Sequence, residues 1–180
     1  MCIRDRLEAE RRLRAELEDS ATEYTIMRLP AVYGPGGKGA IAKLERLAAT
    51  RLPLPFRSAR NRRSILAVDN AVEAIMAMIV HPAAAGRTFL VADDAPTTLS
   101  ELVAAMRGAR GRSPGLFAMP VGLLRLVARL AGKSEITDRL FAEFVVDTAK
   151  IRLRTGWRPR LSTHEALTLY NRADDRGNGG

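Results

Sequence analysis

A glycine-rich loop, Gly34-Pro35-Gly36-Gly37-Lys38-Gly39, has residue types and spacing that could bind a phosphate. It matches Gly-x-Gly-x-x-Gly between a predicted strand and a predicted helix, where a dinucleotide phosphate can bind to helix amides. That fingerprint also needs an acidic residue about 20 positions later for the ribose, and the sequence has none between Glu45 and Asp69. Gly39, where a Walker loop has Ser or Thr, excludes that motif as well. The loop is therefore predicted to be an ordinary connection into a helix.

The other chemistry-bearing residues give weaker signals. Arg62 and Arg63 precede a predicted strand, where a guanidinium could bind a diphosphate bidentately or simply face solvent. His81 and His164 lack partners at ligand spacing, so no metal site is predicted. The pair Asp93-Asp94 falls in turn sequence, which argues against a carboxylate dyad. No catalytic residue is identified from the sequence.

Composition describes a globular chain. Of its 180 residues, 47% are hydrophobic, and 29 Lys plus Arg against 20 Asp plus Glu give a net charge of +9. No apolar run approaches the roughly 18 residues of a spanning helix, so no membrane contact is expected. The N-terminus does not resemble a signal peptide, and Cys2 is the single cysteine. A reducing, cytoplasmic location is expected.

The excess of basic residues raises the question of whether the chain binds nucleic acid. Only 4 of the 29 basic residues are Lys, and the arginines are scattered along helices and loops. Solvated faces account for most of them, including Arg107, Arg110 and Arg112. Aromatic residues make up only 5% of the chain, so the stacking platforms of single-strand binders are missing. No nucleic-acid partner is expected, although a small basic binding module for nucleic acid or an acidic partner stays the alternative hypothesis.

Hydrophobic periodicity predicts strands that alternate with helices, and therefore an α/β chain with parallel pairing. Strands are predicted at 24–29, 64–68 and 88–92. Helices are predicted at 7–17, 40–50, 71–80, 99–106, 121–131, 135–144, from 147, and from 162 to 173. Asp69 or Asn70 is expected to cap the third helix, and Thr98 with Glu101 and Ser162 with Glu165 form predicted capping boxes. Three strands are too few for a covered parallel sheet, which suggests part of a larger doubly wound domain.

Three stretches carry a family resemblance when they are taken in order. The first is Met27-Arg28-Leu29-Pro30-Ala31-Val32-Tyr33-Gly34-Pro35-Gly36. The second is Leu54-Pro55-Phe56 with Asn61-Arg62-Arg63-Ser64-Ile65-Leu66-Ala67-Val68-Asp69-Asn70-Ala71. The third is Val146-Asp147-Thr148-Ala149-Lys150 with Thr155-Gly156-Trp157-Arg158-Pro159. Together they resemble the C-terminal half of extended short-chain dehydrogenases/reductases, the NAD-dependent epimerase/dehydratase family that acts on nucleotide sugars.

The resemblance implies a partial Rossmann-type doubly wound parallel sheet, represented by its last strands, plus a mainly helical C-terminal substrate-binding lobe. Residues 7–37 and 64–97 would belong to the Rossmann domain, and residues 38–63 and 98–173 to the lobe. Residues 1–6 would be a non-native leader, and residues 174–180 a disordered tail.

The resemblance also implies roles for individual residues. Leu29 and Pro30 would lie beside the nicotinamide of NAD or NADP. Leu54 and Phe56 would line the base pocket of a nucleotide-sugar substrate, and Arg62 would bind its diphosphate. Ala31 stands where relatives place an Asn, so the resemblance does not carry that substrate contact over to this position.

The catalytic pair of the family does not match. A helix like that at 7–17 follows Tyr-x-x-x-Lys in the family, and counting back places Cys2 and Arg6 at the Tyr and Lys positions. Neither residue replaces its counterpart, because Arg is a poor electrostatic substitute for Lys and a thiol has a different reach. We therefore expect this chain to be the C-terminal fragment of an NAD(P)-dependent epimerase, dehydratase or reductase, and we expect the fragment to be inactive as written. Its parent could be a homodimer.

Overall fold

A computed structural model of the chain describes residues 3–130 and 141–177. The helices are α1 (Ile3–Glu16), α2 (Ala40–Ala49), α3 (Val68–Val80), α4 (Leu99–Gly108), α5 (Val121–Leu130), α6 (Ala149–Thr155) and α7 (Thr163–Gly177), with a 3-10 turn at Pro82–Ala84. The strands are β1 (Thr25–Arg28), β2 (Ala31–Tyr33), β3 (Arg62–Arg63), β4 (Ile65–Ala67), β5 (Arg87–Leu90) and β6 (Thr97–Thr98). Within these ranges, no helix combines the length and the hydropathy needed to cross a bilayer.

The strands form three pairs. β1 pairs with β5 in parallel, with Thr25 opposite Arg87, and β2 pairs with β4 in parallel, with Ala31 opposite Ile65. The predicted parallel pairing is confirmed. β3 and β6 form an antiparallel pair, so the described residues contain six strands where the sequence predicted three. The three additional strands have only two or three residues each, too few to show periodicity.

Several predicted boundaries change. β2 occupies part of the predicted loop, since the chain re-enters a strand directly after Pro30. α3 begins at Val68, with Ala67 as an N-cap that offers no side-chain hydrogen bond, so the predicted cap by Asp69 or Asn70 is wrong. α7 extends past the predicted end at residue 173. Most of the helix predicted at 135–144 lies outside the described residues.

Both predicted capping boxes are confirmed. The Glu101 amide donates to Thr98 Oγ1 at 3.1 Å, and the Thr98 amide donates back to the Glu101 carboxylate at 2.8 Å. The Glu165 amide and Ser162 make the same reciprocal bonds at 3.3 and 2.8 Å. Two orphan amides are thus satisfied at the start of each helix.

Two hydrophobic clusters form the core of the part of the chain that the structure describes. One lies between the β1–β5 pair and α3 and includes Leu66, Phe89 and Ile151. The other joins α2, α4 and α7 and includes Leu44, Leu102 and Leu167 among its buried residues.

The third family-like stretch packs α6 onto β5. Asp147, which precedes the N-cap Thr148, accepts a hydrogen bond at 2.8 Å from the amide of Ala149, the first residue of α6. Lys150 Nζ donates to the Thr88 carbonyl at 2.9 Å and lies 5.6 Å from the centre of the Phe89 ring. Gly156 ends the helix in the left-handed conformation, with φ 71°. This stretch therefore has a structural role here.

Arg107 corrects the prediction that solvated faces account for the arginines of the 107–112 segment. Its side chain is only 3% exposed, at the end of α4. All five of its N–H groups are directed at main-chain carbonyl oxygens. These belong to Ala48, Thr50, Leu52, Pro114 and Gly115, at 2.6 to 3.2 Å. Arg107 thus joins the end of α2 to two loops.

Replacing Gly34 with Ala is expected to destabilise the protein by about 2–3 kcal/mol, since the new methyl group would overpack a close contact. A Cβ on Gly34 would lie 2.5 Å from Val68 Cγ1, and the Gly34 φ of +156° is one that other residues rarely adopt. Gly39→Ala is the matched control, because no atom lies within 4 Å of its added Cβ. Urea unfolding followed by circular dichroism would compare the two. Equal losses would contradict the steric explanation.

Candidate functional site

The predicted cofactor residues lie at the carboxyl end of β1. Leu29 and Pro30 are half-buried and form the link between β1 and β2. Leu29 packs against the cluster formed by α3 and the β1–β5 pair. The carboxyl ends of parallel strands are where such sheets bind ligands, so both residues are in a suitable position for one wall of a site.

The predicted substrate residues lie in the other part of the chain. Leu54 and Phe56 are brought together in the α2–α4–α7 cluster, where both are buried. The Leu54 amide donates to the Gly115 carbonyl at 3.0 Å, and the Phe56 ring centre lies 6.5 Å from that of Phe141. Their binding role stays a prediction.

The two adjacent arginines of β3 differ in their surroundings. The Arg62 side chain is exposed, and the residue is paired with Thr98 of β6. Arg63 is half-buried, and one of its guanidinium nitrogens donates to the Ala142 carbonyl at 3.3 Å. Burial lowers the pKa of Arg63. Of the two, Arg62 is therefore the one available to a ligand in solution.

Asp93 is the centre of a buried polar network that the sequence analysis missed. It is 4% exposed, and its carboxylate accepts hydrogen bonds from four donors on different elements. The donors are Tyr33 Oη at 3.0 Å, the Ala67 amide at 3.1 Å, Asn70 Nδ2 at 2.7 Å and Thr163 Oγ1 at 3.4 Å. Asp94 is exposed and lies 3.4 Å from Arg152, so the two acids do not form a dyad.

Two more residues extend this network to the C-terminal helix. Asn70 is completely buried, and its side-chain oxygen accepts from the amides of Arg160 and Leu161 at 3.2 and 3.0 Å. Tyr170 donates to Asp69, and its ring packs edge-on against Tyr33 with centres 6.0 Å apart. The network therefore connects β2 and α3 to α7. The family-like Val68-Asp69-Asn70 stretch was the signal that could have pointed to it.

The titration behaviour of the network favours a scaffold over proton transfer. Burial raises the pKa of Asp93, against the opposing effect of its hydrogen-bond donors. Burial and the neighbouring Asp93 raise the pKa of Tyr33, and burial does the same for Tyr170. Both tyrosines hence stay protonated and act as donors. Among the residues that the structure describes, no cluster of three or more His, Cys, Asp or Glu could hold a metal ion.

Asp93→Asn is expected to destabilise the fold by about 1–3 kcal/mol, because an amide nitrogen would face donors instead of accepting from them. The loss should depend on pH. The folded pKa of Asp93 is raised, so the wild-type contribution is fully present below the unfolded value and declines as pH rises through the folded value. The stability gap between wild type and variant should therefore narrow above about pH 4. Urea unfolding of the wild type and the variant at a series of pH values measures this difference in stability. A difference that widens as pH rises would contradict the raised pKa of Asp93.

An open cleft lies beside β1 and α3. A cleft of about 320 Å³ runs between β1 and α3, with Met27, Ile75 and Ile79 among its lining residues. On α3 itself, Ile79 is 70% and Val80 is 78% exposed. Exposed apolar faces of this kind mark contact surfaces for other protein elements.

Comparisons of the sequence with known proteins agree with the family resemblance. The model of the NAD dependent epimerase/dehydratase family matches residues 3–92. A UDP-glucose 4-epimerase from Vibrio cholerae is 37% identical over 161 residues, which cover 89% of this chain and 49% of that protein. An uncharacterized protein, y4nL, from Sinorhizobium fredii is 28% identical over 182 residues, or 91% of this chain and 51% of that protein. This chain thus spans about half the length of the curated relatives it matches.

Solved structures give the fold. A UDP-glucose 4-epimerase from Thermotoga maritima, solved with UDP-glucose, aligns with a TM-score of 0.68 at 20% identity, over 95% of this chain and 52% of that one. An epimerase from Methanothermobacter thermautotrophicus aligns with a TM-score of 0.73 at 18% identity, over 95% and 48%. The predicted partial α/β Rossmann-type fold is confirmed.

Proposed function

Because this chain belongs to the NAD-dependent epimerase/dehydratase family, we propose that it is the C-terminal half of an NAD(P)-dependent nucleotide-sugar epimerase, dehydratase or reductase. The observation that carries this proposal is the 37% identity to a UDP-glucose 4-epimerase over most of this chain but only half of that protein. The proposal makes the parent an enzyme of the oxidoreductase or isomerase type.

Leu29 and Pro30 would form one wall of the nicotinamide site in the parent. Both are apolar, half-buried and placed at the carboxyl end of β1, which suits the face of a nicotinamide ring. When bound, NAD or NADP supplies hydride transfer to or from the sugar carbon. The two residues would orient the ring and exclude water from it.

The proposed substrate site lies in the lobe. The exposed Arg62 guanidinium would bind the nucleotide diphosphate, since a planar fork of N–H donors matches phosphate oxygens. Leu54 and Phe56 would support the base pocket from within the lobe core. The Gly34 loop would have no cofactor role, because no acidic residue follows it at the distance that a ribose contact needs.

The open side of β1 supports the proposal that this is half of a larger enzyme. In the parent, further parallel strands would extend the sheet beyond β1, and α3 would pack its apolar face against them, because helices cover both faces of a parallel sheet. A second copy could pack on α1, where Leu7 and Leu13 are exposed. These placements are part of the proposal.

Turnover and binding assays test the proposal together. We expect the 180-residue chain to show no cofactor-dependent conversion of UDP-glucose, since Cys2 and Arg6 stand at the family's Tyr and Lys positions. We expect weak UDP binding by calorimetry that falls at least tenfold in Arg62→Ala. Arg60→Ala, an exposed arginine two positions away, is the control and should bind UDP normally.

Two results would contradict this proposal. Turnover by the chain alone would contradict the expectation that it is inactive. Equal UDP affinity of the Arg62→Ala and Arg60→Ala variants would contradict the assignment of Arg62 to the diphosphate. Retention on DNA or RNA that falls steeply with salt would instead favour the small basic binding module.

A further inference from the structure

A cavity of about 330 Å³ lies at the end of α4 that is remote from Arg62. Three arginines line it, together with two hydroxyl residues and a glycine: Arg51, Arg107, Arg112, Thr50, Ser113 and Gly115. Arg62 is paired with Thr98 at the start of α4, whereas Arg107 lies near the end of this helix. Because the ten residues of α4 span about 15 Å, the cavity is separate from the site proposed for the diphosphate.

The charge of Arg107 has no carboxylate partner in the part of the chain that the structure describes. Its five N–H groups donate to main-chain carbonyl oxygens, which solvate the guanidinium without neutralising it. A buried charge is usually paired with an opposite charge, and Arg107 is only 3% exposed. The nearby Arg110 has such a pairing, since it lies 3.3 Å from the Glu45 carboxylate. A bound anion would supply the counter-charge that Arg107 lacks.

The two exposed arginines of the cavity have N–H groups that are available to an anion. Among the described residues, Arg51 makes no hydrogen bond or ion pair, and Arg112 uses one terminal nitrogen to donate to the Ala49 carbonyl. Guanidinium groups bind phosphate oxygens bidentately. The described lining contains no acidic side chain that would repel an anion and no aromatic or aliphatic one that would hold a nucleoside base. It therefore suits a small phosphate-bearing anion without a base.

We propose that this cavity is an accessory binding site for a small anion that carries phosphate groups, such as pyrophosphate. Arg51 and Arg112 would bind the phosphate oxygens from the exposed side. Arg107 would contribute its charge from the wall of the cavity and keep its carbonyl contacts, which join the end of α2 to the loop at 113–115. The site goes beyond the proposed function, because it uses neither Arg62 nor a nucleotide.

Titration with inorganic pyrophosphate, followed by NMR, tests the site. The amide signals of Ser113 and Gly115 report on this cavity alone, so binding elsewhere on the chain does not confuse the result. We expect both signals to shift in the wild type. The double variant Arg51→Gln, Arg112→Gln should bind at least about tenfold more weakly, because charge-assisted contacts from two side chains are lost. Each single variant should lose about threefold.

Two further variants separate this site from general attraction by a basic surface. Arg154→Gln with Arg158→Gln is the matched control, since it removes the same charge from two exposed arginines in and just after α6. This control and Arg62→Ala should each keep the wild-type affinity within about twofold. Circular dichroism shows that each variant is folded.

Four results would overturn the proposal. Unshifted Ser113 and Gly115 signals in the wild type would mean that the cavity binds no pyrophosphate. An equal loss of affinity in the two double variants would mean that the anion responds to net charge alone, and an equal loss in Arg62→Ala would place it at Arg62. A single-stranded oligonucleotide that moved the same signals at lower concentration than pyrophosphate would assign the cavity to a nucleic-acid backbone.

Discussion

Arg107→Met is expected to lower the free energy of unfolding by about 3–5 kcal/mol, the usual cost of breaking a buried charged network. Met fills much of the same volume but has no N–H group. Five buried or partly buried carbonyl oxygens, contributed by the end of α2 and by two loops, would lose a donor together. The positive charge also offsets the partial negative charge at the end of α2, and that effect is lost too.

Arg112→Met is the matched control for Arg107→Met. Arg112 is exposed and donates to the Ala49 carbonyl at the same helix end, so its loss should cost less than about 1 kcal/mol. Arg107→Lys should fall between the two, since an ammonium offers three N–H donors in place of five. Urea unfolding followed by circular dichroism measures all three variants. Similar losses for Arg107→Met and Arg112→Met would contradict the network's role.

The sequence predicted the elements whose signals are local. Both capping boxes depend on residues three positions apart, and the strand β1 ends where Pro30 follows. The α/β class followed from the order of these elements. The family resemblance led to the confirmed fold because it uses the order of three stretches along most of the chain. Local chemistry and order therefore account for what was correctly predicted.

What the sequence missed depends on contacts between distant segments. Arg107 has the composition signal of a surface arginine, but its acceptors lie at 48–52 and 114–115, and only the fold brings them together. Asp93 stands in a turn-like Asp-Asp-Ala-Pro segment. It is nevertheless buried, and it accepts hydrogen bonds from Tyr33 and Thr163, which are 60 and 70 residues away along the chain. No periodicity reports such contacts. The binding roles of Leu29, Pro30, Leu54, Phe56 and Arg62 stay predictions.

Asn70 shows how a cap signal can serve a different purpose. Asn in the first turn of a helix commonly bonds to local amides, which is why the sequence suggested a cap. Here its amide instead donates to Asp93 and to the Leu161 carbonyl, while its oxygen accepts from the chain at 160–161. This single side chain thus satisfies groups on two segments, one 23 residues and the other 90 to 91 residues away along the chain.

Asn70→Asp is expected to destabilise the protein by about 3–5 kcal/mol at pH 7, because a second carboxylate would stand beside Asp93 in a buried site. The Asn70 Nδ2 atom lies 2.7 Å from Asp93 Oδ1, and two carboxylates this close cannot both ionise. One must retain a proton, which raises the folded pKa of the pair above the unfolded value. Stability should then decline as pH rises above about 4, so the loss is smaller in acid.

Asn70→Ala is the comparison that removes every side-chain hydrogen bond of Asn70 without adding a charge, whereas Asn70→Asp keeps an acceptor for the amides of Arg160 and Leu161. Its loss, about 2–4 kcal/mol from unsatisfied buried groups, should grow modestly as pH rises, because this variant also lacks the Asn70 hydrogen bond that lowers the pKa of Asp93. Urea unfolding of both variants at pH values of about 4 and 7 compares a second buried carboxylate with a simple loss of the Asn70 contacts, and we expect the larger recovery in acid for Asn70→Asp. If Asn70→Asp showed the same pH dependence as Asn70→Ala, the carboxylate would have escaped to solvent, and the buried contact between Asn70 and Asp93 would not be rigid. If the free energy of unfolding recovered in acid more for Asn70→Asp than for Asn70→Ala, one carboxyl of the pair would have to hold a proton at neutral pH. The contact between the start of α3 and the segment after β5 would then be rigid enough to keep the two carboxyl groups together.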